Sequence, residues 1–204
     1  MSVSRYVLEG GAACGKTTVL FGKSFHPDSD AHERLPCLED LHLCKHEVFF
    51  SLLYDAEKNS MRTVDSIPNL FERYLQLELE NYEFAREPVT FYERGFQSIG
   101  VLCRFFEMKI PVGYEDYCWK YRYNNPIFLL ESIQEVDLQK GEDSNRTWTP
   151  EQRIAFEADI KAEYLRFNYD IITIPNYLKD IRGNVKARKK AITQCIASQR
   201  PFGN

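Results

Sequence analysis

Long apolar runs are missing from this 204-residue chain. The longest nearly apolar stretch, Val48 to Tyr54, is far short of the about 18 residues a membrane span needs. The N-terminal stretch shows no basic-then-apolar leader pattern, so the expectation is a cytosolic protein without a membrane span. Paired cysteines are missing too. The six, at positions 14, 37, 44, 103, 118 and 195, form no Cys-x-x-Cys pair, and a chain of this size needs no staples, which points to reduced thiols. Ten glycines and nine prolines are too few for a collagenous or low-complexity chain. A hydrophobic fraction of 44% excludes disorder. What remains is a single globular domain, able to bury roughly 70% of its unfolded surface.

Positive charge is scarce outside the tail. Lys179, Arg182, Lys186, Arg188, Lys189, Lys190 and Arg200 face only Asp180 there, which leaves 19 basic against 29 acidic residues, a net of −10, on the first 178. A nucleic-acid binder carries a broad basic field, so the body of the chain weighs against nucleic acid as a partner.

What is present alternates between strand and helix patterns. Arg5 to Glu9 reads as a strand that runs into a glycine loop and a helix to about Lys23. After a loop over Phe25 to Arg34, Leu35 to Leu38 reads as a second short strand ending at Glu39, and Asp40 to Tyr54 as a helix. Ile67, Leu70, Phe71, Tyr74, Leu75, Leu79 and Tyr82 recur at helical spacing and predict a helix from Ile67 to Phe84. Pro88 to Tyr92 is a strand ending at Glu93-Arg94-Gly95, followed by a helix through Phe106.

Ile127 to Leu130 and Asp170 to Ile174 are further buried strands. Between them the polar stretch of about residues 132–150 reads as a lid region. Thr149-Pro150-Glu151-Gln152 carries the signature of a capping box opening a helix, whose inward face is Phe156, Ile160, Tyr164 and Phe167. A last helix, Val185 to about Ser198, turns Val185, Ile192 and Ile196 inward and its basic residues outward. The alternation predicts an α/β sandwich around a mainly parallel sheet.

Gly10-x-x-x-x-Gly15-Lys16-Thr17 matches the phosphate-binding loop and sits between strand and helix, as its mechanism requires. Gly10, Gly11, Ala12, Ala13, Cys14, Gly15, Lys16, Thr17 and Thr18 are therefore the expected nucleotide-binding residues. In such a loop the backbone N–H groups curl around a phosphate, Lys16 bridges the β- and γ-phosphates, and the Thr17 hydroxyl enters the Mg²⁺ shell. Cys14 is read as a bystander rather than a redox brake, since no resolving thiol lies near it in sequence.

Glu93-Arg94 lies at the end of a buried strand, where ligands collect in open α/β sheets. The carboxylate can hold a Mg²⁺-bound water or an acceptor hydroxyl, and the guanidinium can grip a phosphate; an ion pair closing the turn is the plainer alternative. Glu39 is a candidate general base or, equally, part of a helix cap. Arg146 is placed to act as a lid arginine, with Arg153 in reserve. His26, His32, His42 and His46 crowd near Cys37 and Cys44, but their spacing does not suit structural zinc. Tyr114, Tyr117, Trp119, Tyr121 and Tyr123 read as packing around a short helix rather than as a base-stacking platform.

The loop GGAACGKTT, the turn YERG, RYNNPIFLLES, Arg146-x-x-Thr149-x-Glu151 and Tyr164-x-x-x-x-Tyr169-Asp170-Ile-Ile-x-Ile-Pro175 together resemble small AAA-domain P-loop proteins related to nicotinamide riboside kinases. They are also similar to deoxynucleoside kinases. The resemblance implies a five-stranded parallel sheet of the nucleoside-kinase type, with residues 176–184 beside the adenine. It implies that Glu93 and Arg94 match the family's acidic-Arg turn after the third strand, Arg146 its lid arginine, and Glu39 the carboxylate after the second strand.

The expected activity is an ATP- and Mg²⁺-dependent kinase acting on a small nucleoside, nucleotide or related metabolite. A single-domain size favours this over an oligomeric motor. The alternative is an ATP- or GTP-binding switch with slow or no hydrolysis and a protein or anionic-lipid partner. The absence of an Asn-Lys-x-Asp run weighs against a standard GTPase, and a homodimer is left open.

Overall fold

The computed structural model describes residues 3–11, 14–22, 37–40, 42–45, 48–49, 52, 64, 67, 69–132, 149–176 and 181–199. In chain order these form β1 (Ser4–Glu9), α1 (Lys16–Phe21), a 3₁₀ turn (Leu38–Asp40), β2 (Leu43–Lys45), α2 (Leu70–Phe84) and β3 (Val89–Glu93). Then follow α3 (Phe96–Phe105), α4 (Tyr114–Lys120), β4 (Ile127–Leu130), α5 (Pro150–Arg166), β5 (Ile171–Ile174) and α6 (Ile181–Gln199). The five strands lie in the order β2-β3-β1-β4-β5, and every pairing is parallel. This is the α/β sandwich the alternation predicts.

Residue alternation along the strands divides the core. Tyr6, Leu8, Phe91, Phe128 and Leu130 point to one face, where Val19, Leu20 and Phe21 of α1 and Val185, Ile192 and Ile196 of α6 cover them. Val7, Tyr92, Ile127 and Leu129 point to the other and pack beneath α2, α3, α4 and α5. β3 and β4, buried at every position, need apolar residues along nearly their whole length. β5, expected to be buried on both faces, is instead an edge strand with Ile172 and Thr173 exposed, because no further strand pairs beyond it among the described residues. Thr149 and Gln152 form the expected capping box at the start of α5.

Three boundaries differ from the sequence reading. No strand occupies Cys37–Glu39: Leu38–Asp40 is a 3₁₀ turn, and β2 lies further on, at Leu43–Lys45. It pairs with Thr90, Phe91 and Tyr92 of β3, so a stretch expected to be helical is interrupted by a strand; three residues are too few to announce themselves by period, and the pairing with β3 decides. Helix α2 starts at Leu70, not Ile67, because Asn69 sits at φ 51 in the left-handed region and ends any helix running through it. Helix α6 starts before Val185, and Arg188 on it is 1% exposed, not turned outward like its basic neighbours.

Candidate functional site

The parallel register sets Leu8 of β1 beside Glu93 of β3, so the glycine loop leaving β1 and the turn leaving β3 emerge at one sheet edge. Gly10 takes φ 141, and a Cβ there would stand 2.6 Å from both the Leu130 carbonyl oxygen and Cys14 Sγ. Glycine is required at that position by backbone conformation and by space. Gly15, at φ 88, turns the chain into α1.

Lys16 is buried, and its ammonium folds back over the loop, donating to the carbonyl oxygens of Gly10 and Gly11 at 3.1 Å each. It also lies 3.6 Å from Cys14 Sγ. The Thr17 hydroxyl donates to Glu93 Oε1. A hydroxyl and a carboxylate are hard oxygen donors of the kind Mg²⁺ takes, so the residues present fit that ion. Thr18 lies in the first turn of α1, where its carbonyl accepts from Gly22 N–H at 2.9 Å. Ala12 and Ala13 lie outside the described residues.

Behind this edge stands a buried carboxylate that sequence reading missed. Glu9, the last residue of β1, accepts from the Ser98 hydroxyl at 2.5 Å, the Tyr164 hydroxyl at 2.7 Å and the Gly95 N–H at 3.0 Å. Arg94 Nη1 lies 3.5 Å away. Burial, followed by the neighbouring Glu9 charge, pushes the Tyr164 hydroxyl well above its ordinary titration range, so it stays protonated and donates. Arg94 itself is at φ 74, its N–H donates to the Leu8 carbonyl at 3.0 Å, and its guanidinium lies over the Phe156 ring at 5.2 Å. The side chain read as a phosphate grip is thus buried against Glu9 and Phe156, the ion-pair arrangement that closes the turn.

Glu39 lies exposed on the 3₁₀ turn, before β2 rather than after it, so the expectation that it leaves the end of a second strand is corrected. The parallel sheet sends the start of β2 to the edge opposite the glycine loop. Arg146 lies outside the described residues, as do residues 133–148 of the expected lid. Arg153 is buried, and among the described residues its Nε has no hydrogen-bond partner. Its turn of α5 flanks the loop: a Cβ on Gly11 would lie 3.2 Å from Glu157 Oε1 and Ser132 Oγ and 3.6 Å from the Arg153 carbonyl oxygen.

The second residue missed is Arg188. Its signal was in the sequence, since Val185, Arg188, Ile192 and Ile196 make one helical stripe with a cation among aliphatic residues. The aromatic cluster packs as expected: Tyr114 meets Phe167 edge-on at 6.2 Å and Tyr117 stacks on Tyr121 at 5.8 Å. Of the histidines only His42 is described, with its ring 5.4 Å from that of Phe91.

A family model described as an AAA domain matches residues 5–188. No curated protein is significantly similar to the chain. The match spans the glycine loop, the turn after β3 and all five strands, and the chain belongs to the AAA-domain family, as a P-loop nucleotide-binding protein.

Proposed function

We propose that this AAA-domain protein is an ATP- and Mg²⁺-dependent phosphotransferase that phosphorylates a hydroxyl on a nucleoside, nucleotide or related small metabolite. The observation that carries the reading is the meeting of Thr17, at the start of α1, with Glu93, at the end of β3, beside a loop whose Gly10 admits no side chain. Resemblance of the YERG turn to the acidic-Arg turn of nucleoside kinases adds to it. Phosphoryl transfer needs little covalent help from a protein, so positioning and charge neutralisation suffice.

In this reading Lys16 exchanges its loop carbonyls for phosphate oxygens, and Arg146 closes from the lid. Thr17 and Glu93 would hold Mg²⁺, which when bound would offset charge on the phosphates. The acceptor oxygen bonds to the γ-phosphorus, the bond to the β-γ bridging oxygen breaks, and the hydroxyl proton passes to a carboxylate. Glu93, at the loop edge, is better placed to take it than Glu39. Arg94 acts from behind, keeping the turn shut against Glu9.

The test is ADP release from Mg-ATP with and without a pool of nucleosides, nucleotides and pyridine ribosides. Release should rise sharply with the pool and vanish in Lys16→Ala. Slow release that ignores the pool would remove the kinase reading and favour a nucleotide switch.

A further inference from the structure

Arg188 is 1% exposed, although it sits in the most basic segment of the chain. Its guanidinium donates from Nη1 to the Cys14 carbonyl at 2.5 Å, from Nη2 to the Glu131 carbonyl at 2.7 Å and from Nε to the Pro175 carbonyl at 3.0 Å. Those acceptors belong to the glycine loop, to the residue after β4 and to the residue after β5. One planar side chain therefore ties the glycine loop to the ends of two neighbouring strands, β4 and β5. An aliphatic residue would satisfy the stripe between Val185 and Ile192; a buried guanidinium is costly unless acceptors are arranged around it. Here they are three carbonyls from distant parts of the chain, and the rigid fork of arginine suits them better than a lysine ammonium.

We propose that Arg188 is a positioning residue of the phosphate loop. A trans peptide directs its C=O and N–H to opposite sides. With the Cys14 carbonyl held on Arg188, the Gly15 N–H is turned away from α6 and into the loop, where a phosphate oxygen accepts it. A Cβ on Gly15 would stand 3.6 Å from Arg188 Nη1, so the guanidinium also backs the left-handed turn into α1. The proposal rests on the reading of this loop as the nucleotide site.

The experiment uses the full chain labelled with ¹⁵N, titrated with Mg-ADP, in wild type, Arg188→Met, Arg188→Lys and Lys16→Ala. Wild type should show a downfield shift of the Gly15 amide on binding. Arg188→Met should lose that shift and bind Mg-ADP about tenfold or more weakly, and Arg188→Lys should fall between. Wild-type affinity with a full Gly15 shift in either variant overturns the proposal, even where the melting temperature drops, because that pattern marks a purely structural residue. If Arg188→Met does not fold, Arg188→Lys decides by the same criterion. Wild type that fails to bind Mg-ADP overturns the nucleotide reading itself, an outcome distinct from unchanged binding in the Arg188 variants.

Discussion

At the scale of single residues, the sheet edge holds two carboxylates with opposite duties. Glu9 is wholly buried and saturated by a backbone N–H, two hydroxyls and a guanidinium, whereas Glu93 faces the Thr17 hydroxyl. Removing Glu9 strands Arg94 in the interior without its counter-charge, and an uncompensated buried charge costs about 3–5 kcal/mol. Glu9→Ala is therefore expected to lower the urea midpoint by that much in free energy; a loss under about 1 kcal/mol would show that the pair is dispensable. Glu93→Gln acts on chemistry. It should leave the urea midpoint near wild type and reduce Mg-dependent ADP release about a hundredfold or more, with release at wild-type level counting against its assigned role. Gly10→Ala should abolish nucleotide binding, because its Cβ would collide with the Leu130 carbonyl and Cys14 Sγ at 2.6 Å; calorimetric titration with Mg-ADP checks this.

At the scale of elements, the beginning of α5 matters most, since its first turns press on Gly11 of the loop. Thr149 accepts from Gln152 N–H at 3.2 Å while the Gln152 side chain accepts from Thr149 N–H at 2.8 Å, so two backbone donors at the helix start are satisfied at once. Thr149→Ala should cost about 1 kcal/mol and Thr149→Ser little, both read from thermal melts. Equal losses in the two variants would mean that the hydroxyl cap contributes nothing. Helices α3 and α4 approach closely at Gly100, where a Cβ would lie 2.5 Å from the Tyr114 hydroxyl. That oxygen is occupied as well, donating to Glu163 at 2.9 Å.

At the scale of the whole molecule, buried thiols and phenols set the behaviour in alkali. Burial pushes the Cys103 thiol up from 9.0 to about 12, and it also raises the Cys118, Tyr92, Tyr114, Tyr123 and Tyr164 groups. Above the ordinary thiol range the unfolded chain has released protons that the native chain still holds, so stability must fall as pH rises. For Cys103 that window runs from 9.0 to about 12; below it this contribution is fully present. The melting temperature should hold steady through neutral pH and drop steadily above about pH 9, and Cys103→Ala should make the drop shallower. A melting temperature flat to about pH 11 would contradict these raised values.

The sequence alone determined what depends on neighbours along the chain. The glycine loop, the capping box, the strand ending at Glu93 and the strand-helix alternation are local patterns, readable because backbone conformation and period depend on adjacent residues. Tertiary structure decided the rest. The three residues of β2 became a strand by pairing with β3, and Glu39 was thereby left before it. Arg94 turned inward because Glu9 ends the neighbouring strand at the same level. Arg188 is buried because carbonyls 174, 57 and 13 residues away converge on it. A buried charge is tolerated only where its acceptors gather, and the meeting of distant segments is a property of the folded chain, not of any stretch of it.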